Sequence, residues 1–154
     1  MSNDPNAIIF CGSGKPLEEK NYELNAELDE NEAIVEISLS TVCGSDVHTW
    51  LGHRPFPTPC ILGHEMVGKI IQLGKNLTHD FLKNELSIGD RITWSMTASC
   101  GECYYCKIAN LPQKCLKLFK YGHVTSDKLP HFTCGYAKYV KIVNITLEQS
   151  VQGN

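Results

Sequence analysis

The sequence predicts a mainly β domain, a partly open and mostly antiparallel β-barrel with short α-helical content and long loops. Three observations lead there: short runs rich in β-branched residues recur at irregular spacing, a single short segment is suited to helix, and glycine and proline punctuate the long connections between them. The chain has 154 residues, 42% of them hydrophobic. That suits one globular domain, residues 1–154, able to bury roughly 70% of the surface its unfolded chain exposes.

Residues 7–11 read as a first short strand. The following Gly12-Ser13-Gly14-Lys15 is not a phosphate loop, because Pro16 stands where a helix would have to start. Residues 17–32 are polar and acidic, a solvated strand and turn. In the next stretch Val35, Ile37 and Leu39 alternate with Glu36, Ser38 and Ser40, a period of two that predicts a half-buried strand ending just before Cys43. Ser45 to Leu51 can form a short helix, with Ser45 or Asp46 as its cap. Pro55, Pro57 and Pro59 then force an extended loop. Val67 to Leu73 is the next strand, closed by a turn at Gly74-Lys75-Asn76, and Arg91 to Trp94 follows Gly89-Asp90 as another. Cys134 to Val143, aromatic and β-branched, is the last expected strand, and the polar tail LEQSVQGN is expected to end regular structure.

The chemistry concentrates in TVCGSDVHTWLGHRPFPTPCILGHEMVGKII, residues 41–71, which holds Cys43, His48, His64 and Glu65. Thiolate, imidazole and carboxylate are ligand types that zinc accepts. A lone Cys or His is more often buried filler or a satisfied surface group, so the weight lies in their company and in Gly63, which frees the backbone beside His64. A second group, CGECYYCKIANLPQKC, places Cys100, Cys103, Cys106 and Cys115 as C-x2-C-x2-C-x8-C. Four thiolates at such spacing can close a tetrahedral structural zinc site and define a zinc lobe. A disulfide pair or free thiols are the alternatives, disfavoured by the short C-x2-C steps and the lack of a secretory signal. Cys11, Cys60 and Cys134 read as ordinary or buried thiols.

Together these two segments resemble the zinc-dependent medium-chain alcohol dehydrogenases, specifically their amino-terminal GroES-like domain, over about residues 7–143. The run LPQKC followed by KLFKYGH is similar to the members associated with phosphonate catabolism. The resemblance implies a catalytic zinc on Cys43 and His64 with Glu65 beside it, and a structural zinc on Cys100, Cys103, Cys106 and Cys115, although the last interval is one residue longer than usual. It implies that Ser45 accepts the proton of an alcohol or polyol substrate and that His48 passes it to solvent. Asp46 would support a ligand or cap the helix, and Trp50 would wall a substrate pocket or simply pack. It also implies a third protein ligand and a nucleotide-binding domain, both expected beyond these residues. NAD(P) would then bind only if that domain is supplied elsewhere, since no G-x-G-x-x-G follows any strand. An alternative expectation is a stand-alone zinc-binding module without catalysis, prone to self-association or paired with a nucleotide-binding chain.

Charge excludes other classes. Net charge is −3, and eight carboxylates fall between Glu18 and Glu36, so no basic stripe awaits nucleic acid. The apolar run 7–11 is too short for a membrane span or signal core, which leads to a cytoplasmic expectation. Asn76-Leu77-Thr78 and Asn144-Ile145-Thr146 match the glycosylation pattern, which means little without secretion.

Overall fold

The computed structural model describes residues 6–24, 27–80, 82–127, 131–143 and 150–152. Strands β1 (Ala7–Ile9) and β2 (Glu18–Lys20) form an antiparallel ribbon. β3 (Ala33–Ser40), β4 (Met66–Leu73), β5 (Arg91–Trp94), β8 (Tyr139–Ile142) and β9 (Ser150–Gln152) form one antiparallel sheet in the order β8-β3-β4-β5-β9. β6 (Thr97–Ala98) and β7 (Phe119–Lys120) make a second ribbon at the base of the cysteine lobe. The pairings run in a line without closing, so the mainly β class holds and the barrel is open. Helix α1 spans Gly44–Trp50 and α2 spans Tyr104–Lys107.

The core lies over one face of the sheet, where Val35, Ile70, Ile92, Val140 and Ile142 are essentially inaccessible and Tyr121 joins them in one buried cluster, edge-on to Trp94 and Phe119. Burying side chains of this size stabilises by about 1.5–3 kcal/mol each. The Tyr121 hydroxyl accepts the Val143 N–H at 3.0 Å, so its polar end is satisfied.

Four expectations need correction. β3 does not keep its alternation: Ile34 and Val35 are both buried, whereas Leu39 is 61% exposed. The register shift between Ile37 and Leu39 leaves Ser38 unpaired and turns Leu39 to the other face, whereas the shift between Ile34 and Val35 places its extra residue, Ile71, on β4, and β3 is simply covered on both faces there. The cap of α1 is Cys43, in extended conformation, and not Ser45 or Asp46; Asp46 instead reaches back from the first turn to accept the Cys43 N–H at 3.0 Å. The expected strand from Cys134 is split. Gly135 and Tyr136 donate to the carbonyls of Gly63 and Leu62, Ala137 bridges Ala7, and only from Tyr139 does the chain pair with β3. Finally, the polar tail does contribute structure, because Ser150–Gln152 pairs with β5. The acceptor-like triplet at 144–146 lies outside the described residues.

Candidate metal centres and active site

β3 ends at Ser40 and the chain turns through Thr41 and Val42 to deliver Cys43 at the helix start. His64 and Glu65 arrive from the other side, immediately before β4. The segment leading to them is pinned by exchanged backbone hydrogen bonds between Cys60 and Phe10 at 2.8 and 3.1 Å and by the Gly135 and Tyr136 amides. Gly63 has φ +88°, and a Cβ there would sit 2.6 Å from the Tyr136 ring, so glycine is needed both for the turn and for the close approach. Thr41 fastens the far end, its amide donating to the Glu65 carbonyl at 3.0 Å and its hydroxyl to Glu65 Oε2 at 2.5 Å.

The outcome is that one ligand atom each of Cys43, His64 and Glu65 lies within 4.8 Å of the other two. His64 has its two nitrogens assigned to different neighbours. Nδ1 faces Asp46 Oδ1 at 3.5 Å, and Nε2 lies 3.3 Å from Ser45 Oγ. A carboxylate behind an imidazole fixes its tautomer and leaves the other nitrogen for a metal. Asp46 is buried and does more than this: its second oxygen accepts the Cys43 amide and, at 3.3 Å, the Tyr136 hydroxyl. Burial and the Asp46 charge push the Tyr136 phenol up, which keeps it a donor. Asp46 therefore joins the Cys43 backbone and the His64 imidazole in one network. Tyr136 and Thr41 carry no sequence signal, because both act through positions set only by the fold.

His48 is exposed on the last turn of α1. Trp50 is 40% exposed and tilted against Phe10 at 5.9 Å. With Ile8, Phe10, Val42, Val47 and Tyr136 it lines an apolar hollow of about 280 Å³ beside Asp46. Cys60 and Cys134 are fully buried; burial pushes the Cys60 thiol up to about 12 and the Cys134 thiol well above its ordinary value. Neither reaches the Cys43, His64 and Glu65 group.

The second centre is built by short turns. Cys100 follows β6, Cys103 caps α2, Cys106 lies within α2, and Cys115 follows a 3-10 turn at Pro112–Lys114. One sulfur of each lies within 4.8 Å of the others, so the extra residue of the last interval is absorbed in the turn, where Asn110 adopts φ 51°. Cys115 Sγ accepts the amides of Cys100 at 3.2 Å and Lys117 at 3.3 Å. Backbone donors of Leu116 and Cys106 bring Cys103 down to about 6, whereas desolvation and then the neighbouring Cys103 sulfur push Cys106 up to about 11. Four sulfurs this close cannot all ionise without a cation among them, and a zinc ion meets that need with four anionic donors. The donor sets of both centres thus fit zinc.

Fold and donor sets together define a mainly β domain with a four-cysteine lobe and a separate Cys-His-Glu cluster. The family model described as the alcohol dehydrogenase GroES-like domain matches residues 29–147, and the chain belongs to that family. It is 31% identical over 116 residues to the zinc-type alcohol dehydrogenase B of Aspergillus flavus, covering 75% of this chain and 24% of that protein. It is 42% identical over 73 residues to the sorbitol dehydrogenase of Halalkalibacterium halodurans, covering 47% of this chain and 20% of that one. The crystal structure of an alcohol dehydrogenase from Thermotoga maritima superposes with a TM-score of 0.82 at 29% identity, over 99% of this chain and 41% of that one. The chain spans less than half the length of each of these relatives. No helix among the described residues is long and apolar enough to cross a membrane.

Proposed function

We propose that this chain is the zinc-binding catalytic domain of an alcohol dehydrogenase-like oxidoreductase, acting on a small alcohol or polyol. The observation that carries the proposal is the convergence of Cys43, His64 and Glu65 with the Ser45 hydroxyl 3.3 Å from His64 Nε2. Cys43 Sγ, His64 Nε2 and a Glu65 oxygen are the atoms that would hold a catalytic zinc, and the four lobe cysteines a structural one. A zinc ion in such a site supplies Lewis acidity that polarises a substrate oxygen. Ser45 Oγ, half-buried in the first turn of α1, takes the hydroxyl proton of the substrate, and exposed His48, three residues further along the helix, hands it to solvent. The apolar hollow beside Asp46 takes the carbon skeleton, with Trp50 as one wall. Hydride transfer needs a nicotinamide dinucleotide, and the described sheet pairings are all antiparallel, with no strand-helix-strand crossover to cradle one. On this proposal a further domain or partner chain holds it.

Metal analysis of the zinc-supplemented chain tests the assignment. The expected result is two classes of zinc, one resistant to a mild chelator and one released by it, with Cys43→Ser losing only the labile class. Retention of the labile zinc by both Cys43→Ser and His64→Ala would sink the catalytic-site assignment.

A further inference from the structure

Helix α1 ends in a backbone arrangement that brings two imidazoles together on the surface. The His53 amide donates to the His48 carbonyl at 3.0 Å, the Gly52 amide to the Thr49 carbonyl at 3.0 Å, and Gly52 has φ +75°. This is the paired hydrogen-bond pattern of a Schellman C-terminus, which sets the residue after the left-handed glycine against the one three positions inside the helix end. That contact is frequently hydrophobic, whereas here both positions are histidine. Gly52 is needed twice over: for its φ, and because a Cβ would lie 2.8 Å from Ser13 Oγ on the β1–β2 connection, which seats the turn against the body.

The two rings meet with Nδ1 of His48 and Nδ1 of His53 3.3 Å apart, ring centres 5.6 Å apart and planes inclined by 49°. Two nitrogens each about 2.0–2.1 Å from one tetrahedral zinc stand about 3.3 Å apart. The spacing is therefore that of a chelating edge as well as of a hydrogen bond between neutral rings. Moving one proton from Nδ1 to the exposed Nε2 of the same ring frees both Nδ1 lone pairs, and water can supply the other ligands. The adjacent cationic side chain, Arg54, donates to His123 Nε2 at 2.5 Å and is engaged there. Imidazole pairs suit zinc, nickel and copper more than calcium or magnesium.

We propose that His48 and His53 form a surface site for a divalent late first-row cation, separate from the four-cysteine lobe and from the Cys43, His64 and Glu65 cluster. The turn pays in advance the entropy of bringing the two ligands together. A cation held there would also take a nitrogen of His48.

Nickel is the probe. The zinc-loaded 154-residue chain, freed of excess metal, is titrated with Ni2+ by calorimetry, and the ring signals of His48 and His53 are followed by NMR for paramagnetic broadening. One further equivalent is expected, with both rings broadened first. His53→Ala should weaken that event by about tenfold or more, since half the protein ligands are gone, while His79→Ala at another exposed histidine should leave it unchanged. Absence of the extra equivalent, an unaltered isotherm for His53→Ala, or equal weakening by His79→Ala would overturn the proposal. Both substituted side chains are exposed, so loss of folding does not confound the comparison.

Discussion

Two side chains carry more than their positions in the sequence suggest. Asp46 holds the Cys43 amide with one oxygen and faces His64 Nδ1 with the other. Asp46→Asn keeps the size and can still accept one hydrogen bond, yet it removes the charge that orients the imidazole. It should weaken zinc at the Cys43, His64 and Glu65 cluster by about 10–100-fold while leaving the lobe zinc in place, as read by competition with a chromophoric chelator. Equal affinity in variant and parent would show that Asp46 serves the helix alone. His123 is the second case. Arg54 donates to its Nε2, and its Nδ1 faces the Tyr121 carbonyl at 3.1 Å, an arrangement that only the neutral ring with its proton on Nδ1 can satisfy. Desolvation first, and then the Arg54 charge, hold its pKa below the ordinary 6.5 against the opposing pull of the Tyr121 carbonyl. The unfolded chain therefore binds this proton before the folded one does. The stability it represents is present above about 6.5 and is lost as pH falls through the lower folded value. Urea midpoints compared at about pH 8 and about pH 5 should fall further for the parent than for His123→Asn; parallel losses would refute the assignment.

At the scale of elements, the lobe between β6 and β7 has almost no apolar interior. Between residues 95 and 118 only Ala98, Ser99 and Cys115 are buried, while Tyr104, Ile108 and Leu116 are 64%, 72% and 73% exposed. The exposed Lys117–Glu102 pair at 2.7 Å adds little in water. On the proposed function, ligand bonds to zinc hold the lobe, since apparent zinc binding of about 10–16 kcal/mol in thiolate sites is folding free energy. Cys103→Ser should remove one zinc per chain and speed amide exchange across residues 100–115 without unfolding the sheet, and unchanged exchange would mean the lobe folds by itself. Gly63→Ala tests the other centre. It asks an alanine to adopt φ +88° and to meet the Tyr136 ring, a cost of about 1–3 kcal/mol for the backbone alone, so both the thermal midpoint and zinc affinity at His64 should drop. A midpoint and affinity like those of the parent would show that the turn tolerates a side chain. The two clusters of candidate ligands, Cys43 with His64 and Glu65 and the four lobe cysteines, were legible in the sequence because glycine, cysteine and histidine carry their signals at short range. The β4 and β5 strands were legible for a similar reason, since Gly74 and Gly89 mark their limits. The bulges of the β3–β4 pair and the Cys43 cap were not, because a register shift depends on the partner strand and Cys is not a usual cap.

For the whole molecule, the pattern of short strands announced the mainly β class, but two features depend on contacts between distant segments. Ser150–Gln152 is too polar to declare a strand, and its place beside β5 is set by the open edge that Arg91–Trp94 offers. The stretch from Cys134 reads as one strand, yet it changes partners at Lys138, serving Gly63 and Ala7 before it serves β3. That exchange ties the turn carrying His64 to the central strand, so the Cys43, His64 and Glu65 cluster is seated by the sheet as a whole. On the proposed function, the same architecture still has to meet a nicotinamide ring. Reduction of a nicotinamide requires its ring and the alcohol carbon at about 3–3.5 Å, an alignment equivalent to about 7–11 kcal/mol of barrier. The described residues offer an apolar hollow but only antiparallel pairings, with no glycine-rich turn opening a crossover helix for a pyrophosphate. The isolated 154-residue chain, loaded with zinc, is therefore expected to give no alcohol-dependent increase in NADH or NADPH absorbance above a zinc blank, while adding a nucleotide-binding partner in trans should restore it. Turnover by the pure chain alone that Ser45→Ala abolishes would show instead that this domain binds and orients the dinucleotide itself.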